Sequence, residues 1–232
     1  VLDQISERKT DPIRLFIKPE PHTQKKLSEG RYRLISSVSV VDQIIDHLLF
    51  GDQNDAMTEN YMHLPSRVGW SPYLGGWRWV PQGDVVAIDK SSWDWTVTPW
   101  LLQAAMEVRI ALRSGPSEDT SWSDLVRWRY KSLFGQPLFV TSGGHLLRQK
   151  EPGVMKSGCV NTITDNSIMQ VILHTWVCMR LNIAPGKLWA MGDDTLQEKP
   201  RDIYAYLREL SRYCIVKQAL AKAEFCGHEF KG

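Results

Sequence analysis

The chain has 232 residues, 43% hydrophobic and 23% charged, which is an ordinary soluble globular composition and enough for one large or two small domains. Ten Trp, seven Tyr and six Phe exclude a disordered chain, and no apolar run approaches the ~18 residues of a membrane-spanning helix. Lys and Arg (28) nearly balance Asp and Glu (26), leaving +2, so net charge alone does not point to nucleic acid. Locally the balance fails: Arg14, Lys18, Lys25, Lys26, Arg31 and Arg33 face only Glu20 and Glu29 over the same stretch. The four cysteines, Cys159, Cys178, Cys214 and Cys226, are far apart and form no Cys-x-x-Cys, so neither a disulfide framework nor a metal finger is expected. That usage fits a reducing compartment. The chain opens on Val1 without a charged-then-apolar leader, so no secretory signal is expected, and it reads as a segment of something longer.

In chain order, residues up to about 83 read as largely irregular. A basic stretch leads into Leu34-Ile35, and Val40, Val41, Ile44, Ile45, Leu48 and Leu49 then predict a helix closed by Gly51. From 52 to 83 Gly, Pro and Trp alternate without period, as in loop with short extended pieces. Val85-Val86-Ala87-Ile88 predicts a buried strand ending at Asp89. Thr98-Pro99 is an N-cap followed by proline at the first helical position, opening a helix through Leu112 that Ser114-Gly115-Pro116 stops. A helix around 122–133, a strand at Phe139-Val140 and a turn at Gly143-Gly144 follow. A long helix after Gly158, with Ile163, Ile168, Val171, Ile172, Val177 and Leu181 inward, should end at Pro185-Gly186. Strands at 187–191 and 195–196, a helix over 200–213 and strands near Ile215 and Phe225 complete an α+β order around a mixed sheet.

Three short patterns carry chemistry. Asp89 ends a strand with Asp94 five residues on, and Gly192-Asp193-Asp194 forms a tight turn between two short apolar strands. With Asp89 beside Asp193 on neighbouring strands, the carboxylates would repel one another, and a hard divalent cation such as Mg²⁺ removes that cost. Each pattern alone is commonplace, since Gly-Asp-Asp is a frequent turn and surface acids fall at every spacing. Their value comes from Ser157-Gly158-Cys159-Val160-Asn161-Thr162-Ile163-Thr164-Asp165-Asn166, which puts Thr162 and Asn166 one turn apart on one helix face. Polar groups there could hydrogen-bond a ribose, although N-capping explains Ser157 equally well.

The order Asp89/Asp94, then Ser157-Gly158-x-x-x-Thr162-x-x-x-Asn166, then Gly192-Asp193-Asp194 resembles motifs A, B and C of viral RNA-dependent RNA polymerases. Lys18-Pro19-Glu20-Pro21-His22 and the stretch from Glu29-Gly30-Arg31-Tyr32-Arg33 to Asp42-Gln43 resemble motif F of sobemovirus- and polerovirus-like enzymes, and Ala223-Glu224-Phe225-Cys226-Gly227-His228 is similar to their motif E. The resemblance implies a right-hand polymerase palm, a mixed, mainly antiparallel sheet backed by helices, with part of the fingers. It implies template-directed transfer of ribonucleotides from NTPs to an RNA 3′-hydroxyl by a two-metal-ion mechanism, in positive-strand RNA virus replication. The two ions are Mg²⁺, for which Mn²⁺ can substitute. Asp89, Asp193 and Asp194 match the catalytic metal ligands. Asp94, Ser157, Thr162 and Asn166 match the set that recognises the NTP ribose, and Lys25, Lys26, Arg31 and Arg33 the bases that hold its triphosphate. The motif D general acid falls on either Lys217 or Lys222. His22 is assigned a structural or phosphate-adjacent role, and Trp93, Trp95 and Trp100 core or template-floor packing.

The same resemblance divides the chain into partial fingers with motif F (1–83), palm motif A (84–113), a fingers-derived insertion (114–152) and palm motifs B to E (153–232), with no thumb. It implies RNA template, nascent RNA and NTPs as partners, allows a protein primer and other viral replication proteins, and places the protein in the host cytoplasm within a membrane-associated replication complex. An inactive palm used as an RNA-binding scaffold would not need Asp89, Asp193 and Asp194. A reverse transcriptase would replace Asp94 with a bulky gate and lack the Ser-Gly-Thr-Asn set.

Overall fold

The computed structural model describes residues 1–113 and 120–231. In chain order it comprises α1 (Leu2–Glu7), β1 (Ile13–Ile17), α2 (Gln24–Ser28), β2 (Leu34–Ser37) and α3 (Val40–Glu59). Two 3₁₀ turns (Pro72–Leu74, Gly76–Trp79), β3 (Val85–Lys90), α4 (Trp93–Thr96) and α5 (Pro99–Ala111) follow. Then come α6 (Ser121–Phe134), β4 (Leu138–Thr141), β5 (Leu146–Arg148), α7 (Thr162–Arg180), β6 (Leu188–Met191) and β7 (Asp194–Glu198). The last elements are α8 (Ile203–Leu210), β8 (Val216–Leu220), β9 (Glu224–Phe225) and β10 (His228–Glu229).

The organising strand is β3, because its apolar run is covered on both faces. It lies inside a sheet of order β6-β7-β3-β8 whose pairings are all antiparallel. Strand alternation sends Val86 and Ile88 to a core shared with Leu101 and Ala105 of α5, Met169 and Leu173 of α7, and Tyr206 of α8. Val85 and Ala87 point the other way, onto Trp70, Trp189, Leu196 and Phe225. Asp89 continues the second series and emerges on that face beside the Trp70 cluster. The other large sheet, of order β2-β1-β4-β5, holds the one parallel pair among them, β1 with β4. In the central sheet the four strands pair antiparallel, and the one departure seen among the described residues is a parallel bridge from Ser66 to Ala190 of β6.

Several boundaries depart from the sequence reading. The helix expected to close at Gly51 continues as α3 to Glu59. Gly51 costs about 1 kcal/mol of propensity, which tertiary contacts offset: buried Phe50, Gln53 donating to Arg109 O at 2.8 Å, and Asn54 donating to Asn161 Oδ1 at 2.9 Å. The N-terminal stretch is not irregular: β1, α2 and β2 form there, and β1 pairs with β2 from Arg14↔Ser37 to Ile17↔Leu34. Thr98 occupies the N-cap position of α5 but its hydroxyl is buried without a partner, so only Pro99 acts as expected there. The Ser114-Gly115-Pro116 stop lies outside the described residues. Helix α7 ends at Arg180, before Pro185. Its N-terminal half turns polar residues inward, with Thr164, Asp165, Asn166, Ser167 and Gln170 all buried, while Ile163 is 43% exposed.

A buried ionic network explains that inversion. Arg109 of α5 donates to Asp165 Oδ1 at 2.6 Å, Thr164 Oγ1 at 2.8 Å and Asn54 Oδ1 at 3.1 Å. Tyr130 of α6 donates to Asp165 Oδ2 at 2.8 Å. A second pair lies alongside, Arg129 of α6 with Asp42 (3.0 Å) and Asp46 (2.6 Å) of α3. All four cysteines are unpaired, and among the described residues no helix is long and apolar enough to cross a membrane.

Arg109→Ala should lower stability by about 3–5 kcal/mol, because it strands the Asp165 carboxylate in the core. The effect is read as a fall in the urea midpoint. Adding Asp165→Ala should recover part of the loss, and a double variant no more stable than the single one would show that the stranded charge is not the cause.

Candidate active site

The strand ends bring the acids together. Ile88 of β3 pairs with Thr195 of β7, and Met191 with Asp194 across the β6–β7 hairpin. Continuing that register by one residue puts Asp194, rather than Asp193, abreast of Asp89, with Asp193 at the hairpin tip. Gly192 opens the two-residue loop at φ +64°, a conformation that favours glycine. Desolvation raises the Asp194 carboxyl above the usual range, and the nearby Asp193 and Asp89 carboxylates raise it further. Among the described residues no three His, Cys, Asp or Glu side chains are already drawn around one point, these three included.

Two lysines answer the negative charge, and the sequence had singled out only one. Lys90, next to Asp89 but on the core side of β3, is 6% exposed and donates to Thr195 Oγ1 at 2.9 Å. Burial pushes its ammonium down to about 8, against the opposing pull of Asp193, Asp194 and Asp89. On the other edge, β3 pairs with β8 as Asp89↔Gln218 and Lys90↔Val216, leaving Lys217 as the extra residue of a β-bulge. Bulges re-aim side chains, and this one delivers Lys217 Nζ to Asp89 Oδ2 at 2.6 Å. That hydrogen bond raises the Lys217 ammonium above its ordinary value. Lys222 is tied elsewhere, to Glu224 at 2.6 Å and Glu229 at 2.9 Å. The structure therefore brings Lys217, and not Lys222, to Asp89.

The ribose-type constellation is assembled from α4 and α7. Asn166 Nδ2 donates to Asp94 Oδ1 at 3.0 Å, and Trp93 Nε1 donates to Asn166 Oδ1 at 2.9 Å. Both ends of the amide are thereby fixed, and Trp93, expected as packing, also orients it. Burial raises the Asp94 carboxyl, with Asp193 adding to the rise and the Asn166 bond and Arg33 opposing it. Ser157 Oγ accepts from Ser36 N–H at 3.3 Å, and Ser37 bridges Gly158. A Cβ on Gly158 would stand 2.5 Å from Ser36 O, so the loop before α7 can approach β2 only with glycine there. The Thr162 hydroxyl is shared between Lys156 O (2.9 Å) and Cys159 O (2.8 Å). It braces its own loop in this structure.

The four bases of the N-terminal stretch are spread around α2 and β2. Lys25 and Lys26 lie in α2, capped by Thr23. Arg31 pairs with Glu29, while Arg33 and Lys18 share Glu20 at 3.5 and 2.8 Å. Only for Arg33 is an influence on a central residue seen among the described residues, through Asp94. His22 packs edge-on against Tyr32 at 5.5 Å. One residue absent from the sequence reading connects two motifs. Ser167, next to Asn166 and fully buried, accepts from Gly192 N–H at 2.9 Å. A hydroxyl directly after a motif asparagine was its only sequence signal.

Residues 6–214 match the family model described as viral RNA-dependent RNA polymerase. The chain is 36% identical to the replicase polyprotein P2AB of Southern cowpea mosaic virus, over 95% of this chain and 24% of that protein. It is 35% identical to protein P1-P2 of Turnip yellows virus (isolate FL-1), over 95% of this chain and 22% of that protein. It thus spans less than a quarter of these relatives' length. Among solved structures, an insertion-loop deletion mutant of the RNA-dependent RNA polymerase of a human picorbirnavirus superposes with a TM-score of 0.71 at 14% identity. That match covers 93% of this chain and 43% of the other, and it shows a fold shared with a viral RNA-dependent RNA polymerase, the antiparallel sheet and helices being consistent with a polymerase palm. By sequence match and by fold, the chain belongs to the viral RNA-dependent RNA polymerase family.

Proposed function

We propose that the chain is the catalytic portion of an enzyme that transfers ribonucleotides from NTPs to an RNA 3′-hydroxyl under the direction of an RNA template, in the replication of a positive-strand RNA virus genome. The observation that carries this reading is the placing of Asp89, Asp193 and Asp194 at the ends of neighbouring strands, beside an Asp94–Asn166 pair held at 3.0 Å. The acids fit hard divalent cations: every donor is a carboxylate oxygen, and the rise at Asp194 comes partly from repulsion that a cation relieves. Asp89, Asp193 and Asp194 would hold two Mg²⁺ ions, or Mn²⁺ in their place, which would supply activation of the attacking hydroxyl and charge neutralisation at the leaving pyrophosphate.

The chain's own groups do the remainder. Asp94 accepts from the ribose 2′-hydroxyl and the Asn166 amide is shared with it, a pairing that suits a group that both donates and accepts. Arg33, with Arg31, Lys25 and Lys26, binds the triphosphate, where guanidinium forks match phosphate oxygens. Lys217, delivered to the acid cluster by the β8 bulge, gives its proton to the leaving pyrophosphate oxygen. Residues 1–83 and 114–152 serve as partial fingers around a palm formed by 84–113 and 153–232. The relatives are a replicase polyprotein and a P1-P2 protein much longer than this chain, which supports other viral proteins as partners. A membrane-associated replication complex in the host cytoplasm is the corresponding location.

Three outcomes are expected from primed-template extension by the full-length parent with Mg²⁺ or Mn²⁺. Asp193→Ala should reduce incorporation by about a thousandfold or more at unchanged melting temperature, since metal-ion stabilisation is worth several kcal/mol; normal extension would remove the metal assignment. Asn166→Ala should lower the preference for ribonucleotides over deoxyribonucleotides about tenfold, the worth of one hydrogen bond to an ionised or strongly polar partner. An unchanged ratio would end the 2′-hydroxyl role. Lys217→Met should slow nucleotide addition about a hundredfold, as loss of a general acid does, while Lys222→Met stays within about twofold. The reverse ranking would transfer the proton donor to Lys222.

A further inference from the structure

We infer that Ser167 is a positioning residue that clamps the Gly192-Asp193 turn to α7, so that the ribose-sensing face of the helix and the catalytic turn move as one body. The inference rests on the polymerase reading above and adds to it the coupling of sugar recognition to the metal-site turn. Ser167 is completely buried, and its hydroxyl makes two bonds of opposite sense. It donates to Ile163 O at 2.7 Å and accepts from Gly192 N–H at 2.9 Å. A serine hydroxyl carries one proton. With that proton committed to the preceding turn of its own helix, only the lone pairs face the hairpin, so the group is preset as an acceptor.

Back-bonding to Ile163 alone would be ordinary for a serine inside a helix. The second bond is not, because it reaches a hairpin 25 residues further along the chain. The Gly192 N–H also has particular need of it. Gly192 is the first residue of a two-residue loop closed by the Met191↔Asp194 pair, so its N–H lies beyond the hairpin ladder. Held there, the Met191–Gly192 peptide, one residue ahead of the peptide that carries Asp193, is fixed against the helix. One residue earlier, Asn166 holds Asp94. Adjacent residues of one rigid helix therefore act on two carboxylates, Asp94 directly and Asp193 through the Gly192 that opens its turn. The two carboxylates are close enough that Asp193 raises the Asp94 carboxyl. A sugar seated correctly on Asp94 and Asn166 thereby finds the Asp193 turn already in register.

Ser167→Ala removes the acceptor, whereas Ser167→Thr keeps a hydroxyl whose proton can still go to the i−4 carbonyl. Both would be made in the full-length parent. The first readout needs no activity: amide hydrogen exchange at Gly192 should be about tenfold faster in Ser167→Ala and close to wild type in Ser167→Thr, as loss of one hydrogen bond implies. The second is single-nucleotide addition, where Ser167→Ala should lower kcat about tenfold with NTP KM within about twofold, the pattern of an interaction that matters in the transition state. Melting temperature should fall by no more than the few degrees that loss of one buried hydrogen bond implies. Unchanged Gly192 exchange in Ser167→Ala overturns the clamp whatever the activity. Faster exchange with an unchanged kcat in an active wild type overturns its catalytic consequence. A parent that binds its turn as described yet makes no RNA under any metal overturns the polymerase reading itself, a result separable from the other two.

Discussion

Asp165 has no access to water, and its carboxylate is held by Arg109 and Tyr130 from two other helices. A charge in that position fixes the rotation of α7 about its own axis, because turning the helix by one residue (~100°) would part Asp165 from Arg109 and Tyr130 and leave a buried carboxylate without its partners. Everything at the first two turns of α7 depends on that setting. Asp165 faces α5 and α6, Asn166 faces Trp93 and Asp94, and Ser167 faces the β6–β7 hairpin. Three consecutive side chains point around the helix to three different neighbours, and all are buried. The polar interior at the start of the helix is a positioning device whose cost is offset by the partners of Asp165, Asn166 and Ser167.

The acidic cluster is built on the complementary principle. Its carboxylates are held on rigid strand ends and not drawn together, and basic groups approach from two directions. Lys90 comes from the core beneath the sheet, desolvated and fixed on Thr195. Lys217 comes from the flanking strand through a bulge that breaks the β3–β8 register at the position of Asp89. The first is immobile because it is enclosed, and the second is exposed and free to exchange partners. Such a division suits a site where a fixed field and a transferable proton are both wanted. The face that carries Asp89 also carries the Trp70, Trp189 and Phe225 cluster, which gives the strand end a solid footing.

The loop ahead of α7 ties this centre to the basic N-terminal sheet. Gly158 lies against the Ser36 backbone, Ser157 accepts from Ser36 N–H, and Ser37 bridges Gly158. The strand that follows Arg31 and Arg33 is thereby docked on the loop that starts the ribose-recognition helix. Contact between backbones, and not between charges, makes that connection.

The sequence by itself determined the central strand, the acids at its end, the turn at Gly192 and the order of the motifs, hence the family. Those features are local: a β-branched run, a glycine that needs positive φ and polar residues at helical spacing are written in adjacent residues. Tertiary structure alone decided the rest. The continuation of α3 through Gly51 depends on Arg109 and Asn161, far along the chain. The inward turn of polar residues on α7 follows from Arg109, and an apolar-periodicity reading had placed Ile163 inside for want of it. The choice between Lys217 and Lys222 was open because both precede motif E at similar spacing; a one-residue bulge, invisible to pattern and set by strand pairing, directs only Lys217 to Asp89. Ser167 and Lys90 went unread for the same reason, since what each does is defined by a partner that only folding brings within 3 Å.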